Sequence, residues 1–317
     1  MPTLRRLLSV PLVLATLSAC AREVPPEGAE GGAEPEPGAT GTVQGRVYER
    51  AVVFLGSVGD STWIVPWLFT ARTKPGGVDR VARAWLERGG EWEPFLDEAW
   101  ESAPTRVPWR LHPRGPLHLV VGPGESLDAI VFEEGPRRLE VELSGTRAEW
   151  NGSQGETYLV ADGAAVLSDR RVPGLVLDLA RAHRGDSRPL GDWMFLASGD
   201  SVLIVLSGTD ARAGGIGAFE GWGRLPDGRE IPWRDLTVSW AETRSFERAR
   251  REVPVRWSVA AGNREMSADL VQRTAHIEAG EGEGPLLPVD ALFEVAGTLR
   301  VADRVYPMRG LVRHLQP

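Results

Sequence analysis

The chain has 317 residues, with Asp+Glu 44 against Lys+Arg 36 and a formal net charge of −8. An acidic total with no basic block excludes a protein that tracks nucleic-acid phosphates, which needs clustered Lys and Arg. One Cys excludes an internal disulfide framework and any Cys-based metal cage, while 42% hydrophobic content is enough for a packed core.

In chain order, Arg5 and Arg6 precede the apolar run LLSVPLVLATL at residues 7–17, which is too short to span a bilayer and is interrupted by Pro11. The run ends in Leu17-Ser18-Ala19-Cys20, which resembles the lipobox of bacterial lipoproteins. The resemblance implies a signal peptide over residues 1–19 and acyl chains on Cys20, the first mature residue. Several acyl chains anchor stably where one would not. Ala21 follows in place of the Asp that marks inner-membrane retention, so the outer membrane is the expected location. Residues 20–42 then form a tether: fourteen of the 22 residues after Cys20 are Pro, Gly or Glu, with almost nothing to bury. Residues 43–317 keep a net charge of −6, so the anchor rather than the body is expected to meet the membrane.

The body reads as β-strands throughout. Turn signals recur at Lys74-Pro-Gly-Gly77, Gly89-Gly90, Gly122-Pro-Gly124, Ser198-Gly-Asp200 and Pro226-Asp-Gly228. Residues 138–143 (RLEVEL) alternate apolar and charged at period two, as do 255–259 and 293–301, whereas 201–206 (SVLIVL) is a continuous apolar run suited to a strand covered on both faces. Residues 78–86 also fit helical spacing, but Gly-Gly turns on both sides favour a strand. Many short strands with few helices predict an all-β protein built from sandwiches or barrels. The polar stretch 184–191 (RGDSRPLG) bisects the body and marks the expected boundary between domains at 43–187 and 188–317.

Most site motifs fail on inspection. His112, His118, His183, His276 and His314 show no metal-ligand spacing, so no metal or other cofactor is expected. Asn151-Gly-Ser-Gln-Gly155 lacks the first Gly of a nucleophile elbow, and Gly-Asp-Ser at three places is turn chemistry. The loop at 208–217 lacks the Lys of a P-loop. Twelve Trp are spread from Trp63 to Trp257, suiting either core packing or a cavity lined for a hydrophobic ligand.

One resemblance reaches most of the body. Asp192-Trp193-Met-Phe195, Leu225-Pro-Asp-Gly228, Asp235-Leu-Thr-Val-Ser-Trp240, Val253-Pro-Val-Arg-Trp257 and Tyr306-Pro-Met-Arg-Gly310 follow in an order similar to the second barrel of the lipocalin-like carotenoid hydratase (hydroxyneurosporene synthase) family. Ser61-Thr-Trp-Ile-Val-Pro-Trp67 and Val172-Pro-Gly-Leu-Val-Leu-Asp178 resemble its first barrel more loosely. The resemblance implies two lipocalin-like antiparallel β-barrels in tandem. It departs at Val176, Leu177 and Leu179, where the family has an aromatic residue before the Asp and a His after it, and at Arg313, where the family tends to have Glu.

Alkene hydration needs an acid and a polar partner aligned on one substrate, and Asp178 alone remains as a candidate acid. On a strand it shares a face with Val176, opposite Leu175, Leu177 and Leu179. Three settings are open to it: solvent, an Arg partner such as Arg181 or Arg184, or a pocket shared with Trp193. Trp193, Trp240 and Trp257 are the candidate ligand-lining residues. The first functional reading is a membrane-anchored barrel lipoprotein that binds a lipid or isoprenoid-like molecule without catalysis. The alternative is a hydratase-type enzyme on such a molecule.

Overall fold

In the computed structural model, residues 45–184, 192–199, 201–209, 215–262 and 265–316 are described. Cys20 and the tether lie outside them, as do residues 185–191 of the expected domain boundary. The described chain is almost wholly β, interrupted by one 3-10 turn at Pro123–Glu125. Both sheets belong to one compact unit.

The first sheet holds nine strands: β1 (Arg46–Val58), β2 (Ser61–Lys74), β3 (Gly77–Arg88), β4 (Glu91–Ser102), β5 (Leu117–Val121), β6 (Leu127–Glu134), β7 (Arg137–Asn151), β8 (Thr157–Leu167) and β9 (Arg170–Arg184). Their order is β4-β3-β2-β1-β9-β8-β7-β6-β5, all antiparallel, and the sheet curls until its edges nearly meet. The seam is closed by side chains. Phe95 of β4 meets Phe132 of β6 edge-on at 5.4 Å, and Arg137 lies over both rings while donating to the Pro94 carbonyl at 2.8 Å. The segment 78–86 is a strand, as its flanking glycines predict: Gly76, Gly89 and Gly90 hold φ of 84°, 64° and 97°, which hairpin turns require.

The second sheet is a closed eight-stranded meander: β10 (Trp193–Ser198), β11 (Val202–Gly208), β12 (Ile216–Arg224), β13 (Glu230–Phe246), β14 (Arg251–Ala261), β15 (Met266–Ala279), β16 (Val289–Val301) and β17 (Arg304–Gln316). β10 pairs with β17 to close it, so no edge is left exposed. The fold is thus two antiparallel barrels, one nearly closed and one closed.

Three apolar clusters follow from strand parity. One fills the first barrel around Phe54, Trp67, Phe132 and Val176, and another fills the second around Leu236, Trp257, Phe293 and Val312. The third joins the barrels: Val53, Leu55, Leu175, Leu177 and Leu179 meet Trp193, Phe195, Leu203, Val205 and Leu311. β11 is buried at all seven positions because its even residues face the barrel interior and its odd ones the first sheet, which explains the continuous apolar run in its sequence.

Candidate functional site

β9 fixes the setting of Asp178. Parity turns Leu175, Leu177 and Leu179 to the second barrel and Asp178 to the interior side of the first, beside Val176. Its carboxylate accepts from Arg50 Nε at 2.8 Å and Arg50 Nη2 at 2.6 Å. The Arg-paired setting therefore holds, with Arg50 of the neighbouring strand as partner rather than Arg181, which binds Glu49 at 2.6 Å. The pocket shared by Asp178 and Trp193 does not form, because the two residues lie on opposite faces of the first sheet. Trp193 is 1% exposed among the leucines joining the barrels, where an indole stabilises by packing.

Trp240 and Trp257 do come together, inside the second barrel. Trp240 meets His314 edge-on at 5.1 Å, Trp257 meets Phe293 at 5.1 Å, and Phe293 meets His314 at 6.3 Å. His314 is fully buried, and its Nδ1 lies 2.7 Å from Asp192 Oδ2. Asp192 Oδ1 also accepts from the Leu315 amide at 3.0 Å. The Gln316 amide nitrogen donates to the Glu252 carbonyl at 2.8 Å and lies 2.9 Å from His314 Nε2. The geometry points the Nδ1 proton at Asp192 Oδ2 and faces the Gln316 amide nitrogen to Nε2. A general base needs that nitrogen open to substrate, so the dyad is built to hold β10 against β17.

The group with open chemistry lies between the barrels, in a cavity of about 410 Å³ lined by residues of the turn and strands at 150–158, by β11 and β12, and by Pro232, Trp233 and Arg234. Trp150 and Tyr158 are cross-strand partners on β7 and β8, and their rings stack at 4.9 Å and 1°. Register shifts between Leu143 and Ala148 bend β7 so that Trp150 reaches Trp222 of β12, stacked at 4.5 Å and 15°. Trp222 is in turn opposite Val205 on β11. The result is a three-ring wall contributed by both barrels.

Polar groups gather at one end of that wall. Glu220, opposite Ser207 on β11, sits at a bulge where the β12–β13 register shifts between Phe219 and Gly221. Bulges re-aim side chains, and this one sends the Glu220 carboxylate to the Ser153 amide of the first barrel at 2.9 Å. Gln154 crosses in the opposite direction, donating to the Thr209 carbonyl at 2.6 Å, so the 151–155 turn pins the two barrels together. Glu156 is 2% exposed and accepts from the Gln154 amide at 3.0 Å. A Cβ on Gly152 would stand 2.5 Å from Glu156 Oε2 and 2.7 Å from Glu220 Oε1, so only glycine lets the carboxylates approach this closely. Burial, with the Glu156 and Glu220 charges beside it, pushes the Tyr158 phenol well above its ordinary value, against a weaker opposing contact from Ser207. Tyr158 therefore keeps its proton, and its hydroxyl, buried without a hydrogen-bond partner among the described residues, borders the cavity.

A second cavity of about 420 Å³ lies between the barrels, walled by Gly56, Gly59, Gly174, Gly199 and Gly297 with Pro173, Pro307 and Met308. Its polar side chains are Ser57, Thr62, Ser198 and Arg309, the last donating to the Asp60 carbonyl at 2.6 Å. Among the described residues, no group of three or more His, Cys, Asp or Glu is arranged to hold a metal ion.

No family model matches the chain, and no curated protein matches it by sequence. Solved structures do. Kievitone hydratase from Nectria haematococca superposes with a TM-score of 0.55 at 11% identity, covering 84% of this chain and 87% of its own. A protein assigned as AttH from Nitrosomonas europaea gives 0.57 at 12%, covering 91% and 98%. CghA, solved with Sch210972, gives 0.51 at 12%, covering 86% and 88%. The likeness shows a shared fold of two antiparallel barrels. The fold implied by the sequence resemblance is thus found in the structure, and its neighbours include a hydratase.

Sequence reasoning missed Trp150, Tyr158, Glu156, Ser207, Glu220 and Trp222. The available signal was the 151–155 turn, which fails as a nucleophile elbow yet forms the rim of the cavity.

Proposed function

We propose that the protein binds a flat, largely apolar small molecule of lipid or isoprenoid-like character in the cavity between the barrels, and that acyl chains on Cys20 hold it at the outer membrane. One observation carries the binding reading: a wall of three stacked rings, drawn from both barrels, ends in a protonated phenol and the Glu220 carboxylate. Sites of this size bury most of a small ligand against apolar walls and use a few polar groups to orient it. The stack supports an apolar ring or polyene, and Tyr158 suits a hydroxyl or carbonyl on the ligand. The anchor rests on Leu17-Ser18-Ala19-Cys20.

A second reading, hydration of a double bond in the same ligand, is favoured by the paired carboxylates around Gly152. In that reading Tyr158 holds a carbonyl conjugated to the double bond, water adds to the far carbon as Glu220 takes its proton, and the same carboxyl then returns that proton to the carbon beside the carbonyl. One experiment separates the two. Residues 43–317 are purified and their organic extract is analysed by mass spectrometry; the extracted compound is then returned to the protein in ¹⁸O-labelled water. Saturable tryptophan quenching with no label uptake supports binding alone, and one labelled oxygen per turnover supports the hydratase. A protein that neither releases nor binds any apolar compound refutes both.

A further inference from the structure

The first barrel contains a buried cation with no anion beside it among the described residues. Arg80 of β3 points into the barrel and is 5% exposed. Its Nε donates to Ser102 Oγ at 2.9 Å and its Nη1 to the Arg110 carbonyl at 3.0 Å, both neutral acceptors. Its Nη2 is buried and makes no hydrogen bond. Burial alone pulls the guanidinium below its ordinary value, with no carboxylate opposing it. Arg50, the interior arginine one row along, shows the contrast: Asp178 satisfies it twice over.

A second orphan stands beside it. The segment 103–116 covers this end of the barrel, packing Leu111 onto the interior cluster and Trp109 against Tyr48 at 5.8 Å. Tyr48, Ala71 and Arg80 share one row across β1, β2 and β3, so the covering segment and Arg80 face the same space. His112 lies on that segment with Nε2 buried and unbonded. Burial and the nearby charges of Arg80 and Arg110 lower its pKa, which places the imidazole in the same positive field.

Buried charges in native proteins are paired, and an unpaired guanidinium costs several kcal/mol. We propose that the covered end of the first barrel is a binding site for an oxyanion (carboxylate, phosphate or sulfate), held by Arg80 Nη2 and His112 Nε2. The anion supplies the missing counter-charge, and guanidinium geometry suits its oxygens. The site is separate from the inter-barrel cavity and shares no residue with it. The same chemistry serves a free inorganic anion or the carboxylate head of a long-chain acid.

The test is thermal melting of residues 43–317 at constant ionic strength, titrated with inorganic phosphate, sulfate, acetate and decanoate against chloride. Wild type is expected to show a saturable rise in Tm with at least one oxyanion: phosphate or sulfate marks the free ion, decanoate alone marks the long-chain acid. Arg80→Met should abolish the rise while melting, without anion, no lower than wild type, since it removes an uncompensated charge. Should that variant not fold, His112→Ala, on the covering segment, is expected to weaken the titration about threefold to tenfold. A wild-type Tm indifferent to every oxyanion overturns the proposal, as does an equal rise in wild type and the folded variant.

Discussion

Arg50 and Asp178 form a two-point ion pair across β1 and β9, at 2.8 and 2.6 Å, two residues off direct register. Both are partly buried, at 26% and 14% side-chain exposure, so neither is fully hydrated without the other. Asp178→Asn should therefore destabilise the fold by about 1–3 kcal/mol, the cost of stranding a partly buried guanidinium. Arg50→Met combined with Asp178→Leu should recover most of that loss. Ligand binding between the barrels should not change in either variant. Melting curves check the first two outcomes, and an Asp178→Asn protein that melts like wild type would refute the structural role.

Stability should also depend on Glu87. This residue of β3 is fully buried, accepts from the Gly90 amide at 2.9 Å through one oxygen, and leaves the other unbonded. Burial, aided by the Glu294 charge on the second barrel, pushes its carboxyl up to about 7. A carboxyl raised in the fold favours the protonated form, so its contribution is complete below the unfolded value of about 4.5 and is lost as pH rises through about 7. Between pH 5 and 8 wild type should lose about 1–3 kcal/mol from this group. Glu87→Gln should remove most of that slope and be the more stable protein at pH 8. Urea titrations at the two pH values measure it, and parallel slopes would count against the assignment.

The strands were legible because their signals are local. Glycine turns placed the hairpins, and the apolar run in β11 announced a strand covered twice, whose second cover is the first barrel. Site residues depend on register between distant segments. Parity along β9 places Asp178 and Arg181 on opposite faces, so the sequence itself argues against Arg181 as partner. Nothing local points to Arg50, 128 residues away. Tyr158, Trp150 and Trp222 are likewise unremarkable apart; a β7–β8 pairing and a bent strand make them one wall. His314 was visible, but its partner Asp192 lies 122 residues earlier, just before the strand that closes the barrel.

That closure yields a third prediction. Asp192 holds His314 Nδ1 and the Leu315 amide, so it ties the start of β10 to the end of β17. Asp192→Asn keeps the shape but replaces a charged acceptor by an amide, leaving the imidazole less firmly oriented. The expected loss is about 2–4 kcal/mol, with faster hydrogen exchange at the β10–β17 amides than in the first barrel. In wild type, ¹⁵N shifts of the His314 ring should report Nδ1 as the protonated nitrogen at neutral pH. A proton on Nε2 instead would contradict the network.

The inter-barrel cavity makes the most discriminating prediction, because it ranks tryptophans that the sequence could not. Trp150 stacks between strands of both barrels and lines the cavity, whereas Trp193 and Trp257 are fully enclosed elsewhere. Trp150→Ala should weaken binding of the extracted ligand at least tenfold, since stacked aromatic contacts contribute about 0.5–1.5 kcal/mol beyond the area they bury. Tyr158→Phe retains the ring and removes only the donor, so quenching should persist with affinity reduced about threefold to thirtyfold, as expected for one buried hydrogen bond. Trp257→Phe keeps an aromatic ring in the second barrel and should leave affinity unchanged. Calorimetric titration of the three variants decides the matter. If Trp257→Phe weakens binding while Trp150→Ala does not, the ligand sits inside the second barrel and the cavity between the barrels is structural.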